Sequence, residues 1–192
     1  MGSNYLTNPA VFLIQTLFGL YILAVLLRFL LQWARADFYN PISQFLVKVT
    51  TPPLRLLRRF IPGFGGIDLA AIILAWGLKY LELLLILLIS GITANFLAPL
   101  LWAIPELVEL LINIYLFAIL IQVILSWINP GSYNPASALL YSLTDPVMRP
   151  ARKLLPPMSG LDLSPMLVMI ALVLLKMLLL PPLRAVTGSP FV

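Results

Sequence analysis

The residues of this 192-residue chain that are best suited to chemistry are its charged side chains, which make up only 10% of the sequence. Most prominent are arginines spaced three residues apart, which a helix presents on one side, where guanidinium groups can bind phosphate. With two neighbouring basic residues they form the set Arg55, Arg58, Arg59, Arg149, Arg152 and Lys153. This set predicts a site for phospholipid headgroups or a cytoplasmic partner. The alternative interpretation is that these are ordinary basic residues whose side chains extend to the membrane interface without forming a binding site.

A second set of charges lies within long apolar runs and comprises Arg28, Lys79, Glu82 and Lys176. A charge at bilayer depth costs at least about 2.5 to 3.5 kcal/mol on insertion scales, so these side chains should face other helices and be paired. Lys79 is one helical turn from Glu82 and can pair with it. Two interpretations stay open, namely an ion or proton pathway and a structural ion pair between helices.

The composition around these charges is that of an integral membrane protein. The chain is 61% hydrophobic with a mean hydropathy of +1.04, whereas soluble domains average about 45 to 50% apolar and about 25% charged residues. It contains no His and no Cys, the residues needed for disulfides, thiol nucleophiles and the usual zinc sites. We therefore expect neither a metal site nor a cofactor.

Apolar runs of sufficient length predict four transmembrane helices, because about 20 residues cross the roughly 30 Å hydrocarbon core. They are expected at about 9–33, 68–90, 107–128 and 163–181. Basic residues cluster in the first and third connections, and the positive-inside rule assigns both to the cytoplasm, with both termini outside. The net charge of +5 is then a property of the cytoplasmic face, where it suits anionic lipid better than nucleic acid.

The two halves of the chain are copies separated by an offset of 94 residues. Tyr39-Asn40-Pro41 recurs as Tyr133-Asn134-Pro135, and many Pro, Gly, Trp and Arg positions align at the same offset. Each copy, residues 1–96 and 97–192, is predicted to be one helical hairpin. Because both connections are expected inside, the hairpins should be parallel, with an axis along the membrane normal. The offset also relates Glu82 to Lys176, so these opposite charges are expected to meet across the axis.

Each cytoplasmic connection contains good N-capping residues directly before a proline, an arrangement typical of a helix start. The predicted caps are Asn40, Thr51, Asn134 and Asp145. They predict two short amphipathic helices per connection, within about 41–60 and about 135–154, lying in the membrane interface. Asp68 and Asp162 precede the returning spans and are also predicted caps, with a salt bridge to the loop arginines as the alternative.

Enzyme signatures are missing from the sequence. The motifs GxxxxGK[ST], GxSxG, HExxH and CxxC do not occur, and each is the mark of a specific catalytic or nucleotide-binding arrangement. Glu106 and Glu109 are expected in the external loop between the second and third spans. We therefore expect a protein that is not an enzyme.

The connections resemble those of the YggT family of small bacterial membrane proteins, called YlmG in some bacteria and with chloroplast relatives. The matching segments are the Tyr-Asn-Pro elements, Thr51-Pro-Pro-Leu-Arg-Leu-Leu-Arg-Arg-Phe-Ile-Pro62, its copy from Asp145 to Pro156, and Gly160-Leu-Asp-Leu-Ser-Pro165. The first repeat departs from the pattern, with Asp68-Leu-Ala-Ala71 in place of the fuller second motif. The resemblance implies a multi-pass protein of the bacterial inner membrane, linked to osmotic or ionic stress tolerance or to cell division. It supplies no catalytic residue.

Two functions are compatible with these patterns. The favoured one is a non-enzymatic organiser whose amphipathic helices and arginines bind anionic membrane lipid or a membrane-protein partner at the cytoplasmic face. The alternative is an ion or osmolyte channel, transporter or transport regulator with Lys79, Glu82 and Lys176 at its gate. Four spans are few for a pore, so this alternative requires a homo-oligomer.

Overall fold

The computed structural model describes residues 3–63, 66–92, 95–128, 134–154 and 162–190. Six α-helices form this part of the chain: α1 (Ser3–Trp33), α2 (Pro41–Leu57), α3 (Leu69–Ser90), α4 (Ala98–Ile128), α5 (Pro135–Leu154) and α6 (Ser164–Thr187). Four of them, α1, α3, α4 and α6, are long and apolar enough to cross a membrane. The chain is therefore an all-α, multi-pass membrane protein. Even the shortest span, α3, reaches about 33 Å at about 1.5 Å per residue.

Two of the spans are longer than their apolar runs alone predict. Helix α4 begins at Ala98 rather than near residue 107, and α6 continues to Thr187 rather than ending near residue 181. Glu106 and Glu109 consequently lie inside α4, and their expected position in an external loop is wrong. A helix can carry these carboxylates because basic residues of α6 pair with both.

The spans pack as two hairpins, with α1 against α3 and α4 against α6, and the packing of α3 on α4 joins the halves. Ala70, Ala71 and Ala75 are buried against α1, where small side chains let two helices approach closely. Large apolar residues such as Phe12 and Leu17 remain exposed on the outer surface of α1. The bundle thus has a narrow core and an apolar exterior, which suits a lipid environment.

Each connection between the two spans of a hairpin forms a single continuous helix, α2 or α5. The prediction of two short helices per connection is wrong. Thr51 and Asp145 lie inside these helices and cap neither. In α2, Leu46 and Leu54 are buried against the bundle, whereas Phe45 is exposed on the other side. Helix α2 is thus amphipathic, and so is α5, which buries Leu139 and Leu143 and exposes Tyr141.

Helix α2 passes through Pro52 and Pro53, which have no N–H to donate to the preceding turn. The hydroxyl of Tyr21, on α1, donates a hydrogen bond to the carbonyl of Val49 at 3.2 Å. This is the carbonyl that Pro53 leaves without its helical donor. Helix α2 does not break here because α1 supplies the missing hydrogen bond.

The two connecting helices lie side by side at their starts. Helix α2 contacts α5, and the side-chain amide of Asn40 donates to the carbonyl of Pro135 at 2.7 Å. Asn40 precedes α2 and Pro135 opens α5, so this hydrogen bond joins the starts of the two connecting helices.

Replacing Tyr21 with Phe should lower the free energy of unfolding by roughly 0.5 to 1.5 kcal/mol, because the Val49 carbonyl loses its donor. In a Pro53→Ala background the same replacement should lower the free energy of unfolding by less, since alanine restores a backbone N–H that can donate to the Val49 carbonyl. Unfolding of the four chains in mixed micelles with increasing dodecyl sulfate measures both effects. An equal loss in the two backgrounds would contradict this account of the continuous helix.

Candidate functional site

The two asparagines of the Tyr-Asn-Pro elements lie at the starts of the connecting helices. Asn40 Oδ1 accepts a hydrogen bond from the Ile42 N–H at 2.9 Å, and Asn134 Oδ1 accepts from the Ser137 N–H at 2.8 Å. Ser137 Oγ in turn accepts from the Asn134 N–H at 3.2 Å. Each asparagine thereby satisfies a backbone donor that has no partner within its helix.

Equivalent salt bridges close the other end of each connection. Arg58 pairs with Asp68, and Arg152 Nε lies 3.4 Å from Asp162 Oδ2. Asp68 stands at the N-cap position of α3 but makes no side-chain hydrogen bond to the first turn. Its carboxylate instead forms the salt bridge to a loop arginine that the sequence offered as the alternative. The Asp68 side chain is 5% exposed and that of Asp162 is 39% exposed. The two bridges are equivalent in sequence but differ in burial.

Asp162 combines the salt bridge with a role at the start of α6, where its Oδ1 accepts from the Ser164 N–H at 2.9 Å. Partial burial alone would raise the pKa of the Asp162 carboxyl. The hydrogen bonds from Ser164 and the charge of Arg152 outweigh it and hold this pKa below its ordinary value. Asp162 therefore stays ionised at neutral pH, and the stability it contributes is lost only as the pH falls through that lowered pKa.

A second pair of equivalent contacts attaches each connecting helix to the preceding span. Arg28 Nη1 donates to Thr50 Oγ1 at 2.8 Å, and Thr144 Oγ1 donates to Gln122 Oε1 at 2.5 Å. Arg28 aligns with Gln122 at the repeat offset, and Thr50 aligns with Thr144. All four residues are buried. From its sequence context Arg28 is predicted only as one of the charges in the apolar runs, although its alignment with Gln122, and that of Thr50 with Thr144, is the signal for this contact.

The charges inside the spans are paired differently from the sequence prediction. Lys79 Nζ lies 2.9 Å from Glu82 Oε1 within α3. Lys176 Nζ instead lies 2.7 Å from Glu109 Oε1 of α4, so the expected meeting of Glu82 with Lys176 is wrong. The reason is the packing, because α6 lies against α4 and not against α3.

Further charges join α6 to α4 at this end of the spans. Arg184 Nη2 lies 2.6 Å from Glu109 Oε2 and 3.5 Å from Glu106 Oε1. The Lys176 ammonium also donates to Asn113 Oδ1 at 3.1 Å. Together with Lys79 and Glu82, the part of the bundle from mid-span to the end away from the connecting helices has three basic and three acidic residues and therefore no net charge.

The opposite end, formed by the connecting helices and the adjoining span ends, carries the whole net charge of +5. Its nine basic residues are Arg28, Arg35, Lys48, Arg55, Arg58, Arg59, Arg149, Arg152 and Lys153, against the four acidic residues Asp37, Asp68, Asp145 and Asp162. Asp145 pairs with Arg149 within α5. Five of the basic residues are exposed and have no ion pair among the described residues: Arg35, Lys48, Arg55, Arg59 and Lys153. We call these five the basic face.

The basic face is bordered by exposed apolar side chains. Phe45, Leu56 and Phe60 are exposed along and just after α2, beside the basic residues of the same segment. Trp33 and Trp127, at the ends of α1 and α4, are also exposed, and tryptophan is enriched at membrane–water interfaces. This combination can bind an anionic membrane surface through its cations while its apolar side chains enter the lipid.

Comparison with known proteins identifies the family. Residues 7–89 and 101–183 each match the family model described as CCB3/YggT. The chain belongs to the CCB3/YggT family. The predicted resemblance is thus confirmed, and so is the internal repeat, because the two matches are displaced by the same 94 residues that separate the copies. One family unit therefore corresponds to two spans and the helix that connects them.

The chain is similar over most of its length to three bacterial proteins, each of which is named as an uncharacterized protein. It is 49% identical to one from Pseudomonas aeruginosa, over 96% of this chain and 95% of that protein. It is 43% identical to one from Vibrio alginolyticus, over 86% and 90% of the two chains. It is 40% identical to YggT of Escherichia coli, over 88% of each. No solved structure matches the chain.

The two equivalent salt bridges provide an internal comparison. Replacing Arg58 with Met should lower the free energy of unfolding by roughly 2 to 3 kcal/mol, because a buried Asp68 carboxylate is left unpaired. Replacing Arg152 with Met should lower the free energy of unfolding by about 1 kcal/mol or less, because solvent can hydrate the exposed Asp162 carboxylate when its partner is removed. Thermal unfolding in detergent measures both, and adding Asp68→Asn to the Arg58 variant should restore part of the loss. Equal losses from the two arginine variants would argue against this difference in burial.

Proposed function

We propose that this protein is a non-enzymatic organiser of the bacterial inner membrane that holds anionic lipid, or a membrane-protein partner, at the cytoplasmic surface. The observation that carries the proposal is the segregation of charge, since the net +5 lies at the end formed by the connecting helices and the rest of the bundle is neutral. A juxtamembrane Lys or Arg contributes about 1 kcal/mol of attraction to an anionic leaflet. The basic face therefore provides an attraction of several kcal/mol without any further contact.

The proposed orientation has both hairpins parallel, α2 and α5 in the cytoplasm and both termini outside. The positive-inside rule favours this arrangement because the excess of Lys and Arg lies in the two short connections. The hydrogen bond from Asn40 to Pro135 supports it, since the two connections would have to meet on one side of the membrane.

The pairing of charges inside the spans favours an organiser over a conduit. Lys79, Lys176 and Arg184 each have a carboxylate partner within 3.0 Å, and pairing lowers the electrostatic cost of a charge inside the membrane. The pairs of Lys176 and Arg184 also join α6 to α4. A conduit would need polar groups that remain free to exchange ions or protons. The link to osmotic stress or cell division stays a prediction from the family resemblance.

The orientation can be tested by cysteine labelling, because the chain contains no cysteine of its own. Gln44 and Ala136 are exposed on the two connecting helices, and Leu97 is exposed between α3 and α4. Cysteines introduced at Gln44 and Ala136 should react with a membrane-impermeant maleimide only after the cytoplasmic side is opened. A cysteine at Leu97 should react in intact cells. Labelling of Gln44 and Ala136 from opposite sides would contradict parallel hairpins.

Lipid selectivity tests the basic face directly. The protein, with Trp76 and Trp102 replaced by Phe so that Trp33 and Trp127 are its remaining tryptophans, is reconstituted in phosphatidylcholine containing a minor fraction of brominated phosphatidylglycerol. Quenching of the tryptophan fluorescence then reports the local enrichment of the anionic lipid. Changing Lys48, Arg55 and Arg59 together to Gln should reduce this enrichment several-fold, since three attractive charges are lost. Raising the ionic strength should reduce it in the unchanged protein as well.

The matched control changes Arg55 and Arg59 to Lys, which keeps the charge and should keep the enrichment. Equal quenching by brominated phosphatidylcholine and brominated phosphatidylglycerol would overturn the proposal. So would a solute-selective flux through proteoliposomes that Glu82→Gln abolishes, because it would assign the buried charges to conduction.

A further inference from the structure

A cavity of about 620 Å³ lies within the first repeat, between the end of α1, the helix α2 and the segment that leads into α3. Its volume falls within the range of about 300 to 1,000 Å³ that is typical of small-molecule sites. Apolar residues line part of it, among them Leu31, Leu46 and Ile67. The polar lining is formed by Arg28, Gln32, Ser43, Arg58 and Asp68. The cavity is therefore amphipathic, with a charged group on its wall.

Arg28 is the unusual member of this lining, because it is a buried cation without a counter-ion. Arg28 is 9% exposed, and no carboxylate forms an ion pair with it among the described residues. All of its hydrogen bonds come from Nη1, to Val47, Thr50 and Thr51. Within the described part of the chain, Nε and Nη2 have no acceptor. A buried charge in this state is costly unless something else compensates it.

Two neighbours complete a binding site around this guanidinium. The hydroxyl of Ser43 lines the same cavity and is enclosed without a hydrogen-bond partner among the described residues. Arg58 and Asp68 line the same cavity as Arg28 and neutralise each other as an ion pair. The charge left over on the cavity wall is therefore one positive charge, with unused donors on Arg28 and Ser43.

We propose that this cavity binds one phosphodiester anion through Arg28 and Ser43. A phosphodiester carries a single negative charge, which matches the single uncompensated positive charge, and its two free oxygens can accept from a guanidinium and a hydroxyl. The apolar part of the lining suits the glycerol and acyl portions of a lipid. The same group also occurs in water-soluble glycerophosphodiesters, so the source is a question for the experiment.

The second repeat shows that the fold does not require the positive charge. Gln122 stands at the position equivalent to Arg28 and accepts a hydrogen bond from Thr144, where Arg28 donates one to Thr50. A neutral amide is therefore sufficient to attach the connecting helix to its span, and the charge of Arg28 is available for another role. This makes Arg28→Gln a conservative variant with a precedent in the same chain.

The site goes beyond the surface association proposed above, because it is a single cavity within one repeat. The test uses the full chain in neutral detergent and native mass spectrometry, with dihexanoyl phosphatidylglycerol as one probe and its deacylated headgroup, glycerophosphoglycerol, as the other. We expect one bound phosphatidylglycerol per chain, with Arg28→Gln weakening it roughly tenfold or more. Ser43→Ala should weaken it less. Changing Lys48, Arg55 and Arg59 to Gln should leave this one adduct in place.

Binding of both probes that depends on Arg28 supports a phosphodiester site open to soluble ligands, and binding of the lipid alone supports a lipid site. Absence of a stoichiometric adduct, or an adduct unchanged in Arg28→Gln, overturns the inference. If the Arg28→Gln chain fails to fold, Ser43→Ala decides, since an undiminished adduct in that variant also counts against the site. Failure of the surface proposal is seen separately, as lipid enrichment that persists after loss of Lys48, Arg55 and Arg59.

Discussion

The constraint on which this structure depends is that a polar group at membrane depth must find its partner inside the protein, because hydrocarbon offers none. The hydroxyl of Tyr21 bonds the carbonyl freed by Pro53, and Arg28 bonds the threonines of α2. On the neutral end, the carboxylates of α4 bond the basic residues of α6. Each of these contacts joins two helices, so the satisfaction of polar groups also determines which helices pack together.

The two repeats have the same arrangement of helices and contacts but differ in the charge and burial of the residues that make those contacts. The threonine that attaches the connecting helix is the same in both, but its partner is the cation Arg28 in the first repeat and the neutral Gln122 in the second. The closing salt bridge recurs as well, buried at Asp68 and half exposed at Asp162. Only contacts that hold the helices together are shared, whereas the net charge within the connections differs. The halves are therefore structurally equivalent without being chemically equivalent.

The distribution of charge connects this architecture to function. Ion pairs inside the spans cancel, so those side chains stabilise helix packing and add nothing to the field outside the bundle. The five cations of the basic face have no such partners among the described residues, so their charge remains available to attract anionic groups beside this face. A cleft of about 370 Å³ lined by Arg35, Arg149 and Lys153 continues this basic region from the end of α1 to α5. Both repeats therefore contribute to one positively charged surface.

The sequence by itself determined the membrane class, the four spans, the repeat and the family, because run length, composition and a constant offset are properties of the chain alone. The caps formed by the asparagines before α2 and α5 could also be predicted from the sequence, because a helix cap acts on residues only two or three positions away. Tertiary structure decided the rest. Lys176 pairs with Glu109 rather than Glu82, and α2 continues through its prolines because a hydroxyl on α1 is in reach. Both outcomes depend on groups far away in sequence, and only packing brings those groups within hydrogen-bonding distance.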